Sequence, residues 1–289
     1  GRASSRRPHP EQDATMTMDA NNRSHRPAGL PQGVAGTFDT TVSGVDDADV
    51  APPMGAGTVS NAEACVNLAK RRTIDLLWKT ASIEVRGLTF PDTRDVFKGI
   101  TPGDARARDV MVLNNLKHAW QFLFDNTDWP VDWQYLSEYN RLVGDGLEPS
   151  PGRLRNDMVT IGGTRYVPPV PSYDGVRDQI GKDLGLDDPE DRALNLFASI
   201  SRGQWFSNGN KRTSAMAANH CLIHDGVGIF ALPPERMDDE FRDRLIGFYE
   251  SDDRGPFIDW LKYHAVGRLV DNGLTSAQKN GDDPIHDDM

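Results

Sequence analysis

Between residues 60 and 270, apolar positions recur at intervals of three and four, the spacing of one helical face. Val66, Ile74, Leu77, Trp78 and Ala81 predict a first helix to about Ile83. It opens with Ser60 and Glu63 at capping-box spacing, where the hydroxyl can accept from the amide three residues on. A turn at Thr89-Phe90-Pro91-Asp92 starts a short second helix through Val96 and Phe97. Val110, Leu113, Leu116, Trp120 and Leu123 share one face of a third, expected over 102–124. Further helices are expected over 133–142, 173–184, 189–201, 210–224, 234–250 and 256–270, several with proline near the first turn, where a missing N–H costs nothing. One stretch breaks the period. Residues 158–167 are β-prone on both sides of Gly162-Gly163, which predicts a two-residue hairpin. The expected class is all-α, a helical bundle with one short β-hairpin.

Residues 1–59 show neither period, and their apolar residues are too sparse to offset the ordering entropy of ~1–2 kcal/mol per residue. The stretch 271–289 is also polar, with Asp282, Asp283, Asp287 and Asp288. The expected organisation is a disordered segment (1–59), one helical domain (60–270) and an acidic disordered tail (271–289). The 43 Asp+Glu against 32 Lys+Arg give a net charge of -11. That balance excludes nucleic-acid binding through bulk charge but permits a small local anion site. No uninterrupted apolar run approaches the ~20 residues that span a bilayer. The Arg-containing start lacks the apolar core of a secretory signal, so the expected location is the cytoplasm. Cys65 and Cys221 fall in different expected helices and read as two buried thiols.

The candidate chemistry lies in Gln204-Trp205-Phe206-Ser207-Asn208-Gly209-Asn210-Lys211-Arg212-Thr213. Gly and Asn tolerate tight left-handed backbone, and helical periodicity resumes at once through Met216, Ala217, Cys221 and Leu222. A tight loop feeding a helix start presents free N–H groups and the positive end of the dipole, a site that holds phosphate. Lys211 and Arg212 add two positive charges there, although bases at a helix N-terminus work against its dipole. The plainer alternative is an Asn-capped helix with two solvated basic residues. His220 and His224 share a helix face, a spacing that can bind zinc but lacks a third ligand nearby. Trp133, Gln134, Tyr135 and Trp205 read as core or pocket wall.

Phe206, Gly209, Asn210, Lys211 and Arg212 match the signature of the Fic/Doc (Fido) family, and the Lys-Arg-Thr ending resembles its Doc branch. Thr80-Ala81-Ser82-Ile83-Glu84 followed by Gly87-Leu88-Thr89 resembles the family's helix and turn ahead of the core. Pro151-Gly152-Arg153-Leu154-Arg155, leading to Tyr166-Val167-Pro168-Pro169, resembles the segment that ends in the family's flap. The resemblance covers roughly residues 62–268 and implies a Fido fold. It also implies a transferase that moves AMP (AMPylation) or a phosphoryl group from a nucleotide such as ATP to a Ser, Thr or Tyr hydroxyl of a protein. Asn208, Gly209, Asn210, Lys211 and Arg212 would then bind the nucleotide, and Ile161, Gly162, Gly163 and Thr164 would form the flap against the target peptide. Thr80 and Glu84 resemble an autoinhibitory motif whose glutamate pairs with a second arginine. Here Val85 follows Glu84, and Ala215 stands at the second arginine's place, so Glu84 reads either as inhibitory or as a structural partner of a basic residue.

Two departures fall on the chemistry. Gln204 occupies the place of the family's general-base histidine, and an amide cannot accept a proton near neutral pH. Asn208 occupies the place of the carboxylate that holds Mg²⁺, bringing an oxygen ligand without charge. The expected activity is therefore a Fic-like transfer with impaired or altered chemistry. The alternatives are a catalytically silent module that binds a nucleotide or peptide, and the toxin partner of a toxin–antitoxin pair.

Overall fold

The computed structural model describes residues 60–103, 106–270 and 273–275, and the backbone of 17–18 and 24–25. The last two form the antiparallel strands β1 (Thr17–Met18) and β2 (Ser24–His25). The remaining expectations for 1–59 and for 276–289 lie outside the described residues.

Two helices, α1 (Asn61–Arg71) and α2 (Thr73–Ala81), replace the single expected first helix. The break falls at Arg72, where Thr73 turns its hydroxyl back onto the carbonyls of Ala69 and Lys70. The cap at Ser60 accepts from Glu63 N as the spacing predicts. Thr89 and Asp92 form a reciprocal capping box for α3 (Phe90–Phe97). Helix α4 (Ala107–Phe124) begins after Pro102-Gly103, later than its apolar pattern predicts. Asp132, Ser172 and Asp188 cap α5 (Trp133–Gly144), α6 (Tyr173–Leu184) and α7 (Pro189–Gly203) with side-chain oxygens.

Helix α8 (Asn210–His224) organises the domain. Thirteen of its 15 residues are buried, so it lacks a polar face and must be surrounded. Ala217, Ala218 and Leu222 enter one core with Leu194, Phe197 and Phe257, while Met216 and Ile223 enter a second with Leu77, Leu116 and Trp120. Buried Asn219 is satisfied by a two-way pair with the backbone of Phe230, which fixes β3 (Gly228–Phe230) against the helix.

The chain then passes through a 3₁₀ turn and a π turn into α9 (Arg242–Ser251) and α10 (Gly255–His264). The helix expected over 256–270 stops early. Residues Val266–Val270 form β4, antiparallel to β3 with Ile229 opposite Gly267, and β4 pairs in turn with β5 (Gly273–Thr275). Strand pairing satisfies the buried backbone of β3, which a continued helix would leave unpaired. β5 lies inside the stretch whose composition reads as an acidic tail.

The turn expected at Gly162-Gly163 is present, with Gly163 at φ 86°, but no backbone ladder joins its flanks. An isolated two-stranded ribbon is marginal. This one is held instead by α9, whose Glu250 Oε1 accepts from Thr164 Oγ1 at 3.1 Å and Arg165 N at 3.4 Å.

Both cysteines are free and buried, and burial pushes their thiols up to about 11 (Cys65) and about 12 (Cys221). His220 is enclosed: its Nε2 donates to Trp129 O at 2.8 Å, and its Nδ1 accepts from Tyr139 Oη at 2.7 Å. This is the neutral tautomer, and burial lowers the imidazole from 6.5 to about 4. The unfolded chain therefore binds a proton in the interval between those values that the folded one refuses. Stability contributed by neutral His220 is whole above pH 6.5 and is lost as pH falls towards 4, by about 2 kcal/mol at pH 5. Urea unfolding at pH 7 and pH 5 should show this loss, and His220→Gln should remove most of the difference between the two pH values.

Candidate functional site

Helices α7 and α8 meet at the loop 204–209. Gln204 caps α7 in the left-handed region, φ 43°. Its amide is held at both ends, Nε2 donating to Ser201 O at 2.6 Å and Oε1 accepting from Asn210 Nδ2 at 3.1 Å. Asn210 also closes the loop on itself, donating to Phe206 O at 2.8 Å and accepting from Phe206 N at 2.9 Å. Trp133 stacks on Phe206 with centroids 5.8 Å apart. Gly209 opens α8 at φ 71° with no side-chain cap. A Cβ there would lie 3.2 Å from Val143 Cγ2 and 3.4 Å from Asn140 Nδ2, so conformation and space both require glycine. The amides of Asn210, Lys211 and Arg212 find no acceptor among the described residues.

The two basic residues part company. Lys211 is half-buried and makes no ion pair among the described residues. Arg212 is fully buried and turns inward, donating Nη1 to Val143 O at 2.8 Å near the end of α5. Its Nη2 lies 2.8 Å from Glu84 Oε2, but off the N–H direction, so Nη2 and Nε lack an aligned acceptor. Glu84 is thus brought to the loop, against Arg212. Its expected companion is not: the Thr80 hydroxyl bonds Leu76 O at 2.7 Å within its own helix. Ala215 is buried in the core.

Three residues that the sequence reading did not single out shape the site. Asn140 of α5 donates to Asn208 O at 2.9 Å and Thr213 Oγ1 at 3.1 Å, and accepts from Gly152 N at 2.8 Å. Arg155, buried, donates to the carbonyls of Gln204, Asp157 and Pro169 at 2.5 Å, of Pro168 at 3.2 Å and of Gly203 at 3.4 Å. It ties residues 157–169 to the end of α7, and Leu154 bridges Phe206 beside it. Burial lowers the pKa of the Arg155 guanidinium below the usual arginine value, yet five carbonyls favour its charge. Glu148, in the loop after α5, accepts from Asn208 Nδ2 at 2.5 Å.

Trp205 is both core and wall. It lines a cleft of about 310 Å³ with Tyr166, Val170, Val176, Ser199 and Arg202. His220 and His224 address separate carbonyls, Trp129 O and Thr127 O, and do not converge. No cluster of three His, Cys, Asp or Glu that could hold a metal occurs among the described residues. The residues at the loop do not fit Mg²⁺ as they stand: the Asn208 oxygen accepts from Gly209 N at 2.6 Å and its nitrogen faces Glu148 Oε1, so the two hard oxygens do not converge on one cation. No helix among the described residues is long and apolar enough to cross a membrane.

Residues 130–222 match the Fic/DOC family, and this span contains α5, α6, α7 and the loop. No curated protein matches the chain. Among solved structures, Fic-1 from C. elegans aligns with TM-score 0.59 and 20% identity over 68% of this chain and 61% of that one. A Fic domain containing signaling protein from Bacteroides thetaiotaomicron aligns with TM-score 0.56 and 16% identity, over 68% of this chain and 83% of that one. A Fic family protein from Desulfovibrio desulfuricans aligns at 0.54 and 17%, over 68% and 62%. The mostly helical fold is that of these Fic proteins, and the chain spans about three fifths of the C. elegans and Desulfovibrio structures.

Proposed function

We propose that this chain is a cytoplasmic Fic-type transferase whose proton-transfer chemistry is altered. It would move AMP or a phosphoryl group from ATP or another nucleotide to a hydroxyl of a target protein. The observation that supports this most is the uncapped Gly209 start of α8, with free amides and half-buried Lys211 in its first turn, beside a loop held rigid by Asn140 and Asn210. Such a start binds phosphate through N–H groups and dipole together. The Gly162-Gly163 turn, anchored on Glu250, offers backbone to the target segment. Gln204 can orient the target hydroxyl but cannot take its proton, which forgoes the ~10²–10⁴ in rate typical of a general base.

A second reading, a silent binding module, is favoured by one observation: the Gln204 amide and the Arg212 guanidinium are both engaged inside the protein. Incubating the purified protein with α- or γ-labelled ATP, Mg²⁺ and a lysate separates the readings. Label from the α-phosphate means AMP transfer, and label from γ alone means phosphoryl transfer. Binding of ATP without either label would leave the silent module.

A further inference from the structure

We propose that the cleft between α6, α7 and residues 166–172 receives the phenol ring of a tyrosine from a polypeptide partner. It stands apart from the transfer reading, since neither Gln204 nor any residue of 206–213 lines it. Its volume of about 310 Å³ lies at the small end of the range for ligand pockets, about 300–1,000 Å³, and takes one ring and its linker. Tyr166, Val170, Val176 and Trp205 give it apolar walls that suit a planar ring. Its buried side is polar and unsatisfied. Ser199 is 5% exposed and its hydroxyl has no aligned hydrogen-bond partner; Asp183, 3% exposed, likewise keeps Oδ2 unpaired. Burial raises the pKa of the Asp183 carboxyl, and the neighbouring Ser199 hydroxyl opposes that rise. The other carboxylate oxygen, Oδ1, accepts from two lining residues, Gln179 Nε2 at 2.9 Å and Arg254 Nη1 at 3.1 Å. Buried polar atoms in folded proteins are nearly always paired, so two orphans at one cleft point to a ligand that supplies the bonds.

The charges at the cleft already balance. Arg254 pairs with Asp183, and Arg202 with Asp252, each at 3.1 Å, so a neutral group fits. A hydroxyl tip supplies a donor for the carboxylate oxygen and an acceptor for Ser199. A phenyl tip has neither, and an indole only donates. The rim points to a polypeptide as the source of the ring. Val167, Val170 and Tyr173, which line the cleft or adjoin lining residues in the chain, are 45%, 43% and 47% exposed. Residues 166–171 make no backbone-to-backbone hydrogen bond among the described residues, and Pro168, Pro169 and Pro171 bias them to extended backbone. An extended segment can lie along such a ridge with its ring in the cleft.

The test is ligand-observed NMR titration of the full chain with p-cresol, toluene and a blocked pentapeptide carrying a central tyrosine. Wild type should bind p-cresol about fivefold more tightly than toluene, the worth of one net hydrogen bond, and Ser199→Ala should bring that ratio close to one. Alanine suits the middle of α7, so toluene affinity should persist in the variant and show the cleft still formed. The peptide should bind about tenfold more tightly than p-cresol, and Val170→Glu on the rim should weaken the peptide while sparing p-cresol. No binding of p-cresol, equal binding of p-cresol and toluene, or a ratio that survives Ser199→Ala would overturn the phenol site. A peptide that binds no better than p-cresol, or is indifferent to Val170→Glu, would overturn the polypeptide as its source.

Discussion

Gln204→His is expected to raise label transfer from ATP by about 10²-fold, the low end of what a positioned general base contributes. The backbone accepts the change, because position 204 sits at φ 43° and histidine is among the residues enriched in that region. What is lost is the pair of amide bonds to Ser201 O and Asn210, a modest cost at a half-buried site. What is gained is an imidazole that titrates near pH 6.5 and can take the proton of a target hydroxyl. Transfer by the variant should therefore rise with pH through that value, whereas wild type should lack this inflection. Initial rates with α- and γ-labelled ATP across pH 5.5–8.5 provide the comparison. Fast transfer by wild type that slows in Gln204→His would show the glutamine to be part of a different working mechanism.

Arg155→Ala should destabilise the domain by about 3 kcal/mol or more, since bonds to a charged donor contribute about 1.5–3 kcal/mol each and their loss is not additive. Five carbonyls, of Asp157, Pro168 and Pro169 and of Gly203 and Gln204 at the end of α7, lose their donor at once, in a place where water is excluded. For a domain of this size that corresponds to a fall in thermal midpoint of roughly 6–12 °C. Arg155→Lys should recover only part of it, because an ammonium cannot present the planar fork that reaches Gln204 O and Pro169 O together. Differential scanning calorimetry of both variants measures the effect. A midpoint unchanged in Arg155→Ala would show that residues 157–169 and the loop are held without this side chain.

The contrast between Arg212 and Lys211 shows how far the sequence could be read. Gly209, Asn210 and the resumed helical period locate the loop, because left-handed backbone and helical spacing are local properties. Burial is not local. Arg212 turns inward onto Val143 O and Glu84, and nothing in its neighbours along the chain distinguishes it from half-buried Lys211. Asn140, Glu148 and Arg155 escape notice for the same reason, since their partners lie far along the chain and are mostly backbone carbonyls or amides. At the end of α10, Val266 and Val270 fit a helical count equally well. Pairing with β3, made by residues before α9, decides for a strand. The Gly162-Gly163 turn is legible from its dipeptide, whereas its anchoring by Glu250 instead of a ladder depends on where α9 packs.

The central claim is that the loop before α8 receives the phosphates of a nucleotide. A crystal structure of the protein grown with a non-hydrolysable ATP analogue and Mg²⁺ tests it most directly. The account predicts phosphate density against the amides of Asn210, Lys211 and Arg212, with Lys211 turned towards it and the Glu84 carboxylate still on, or displaced from, Arg212. Density for the nucleotide in the cleft between Tyr166, Ser199 and Trp205, with the loop amides left to water, would contradict it.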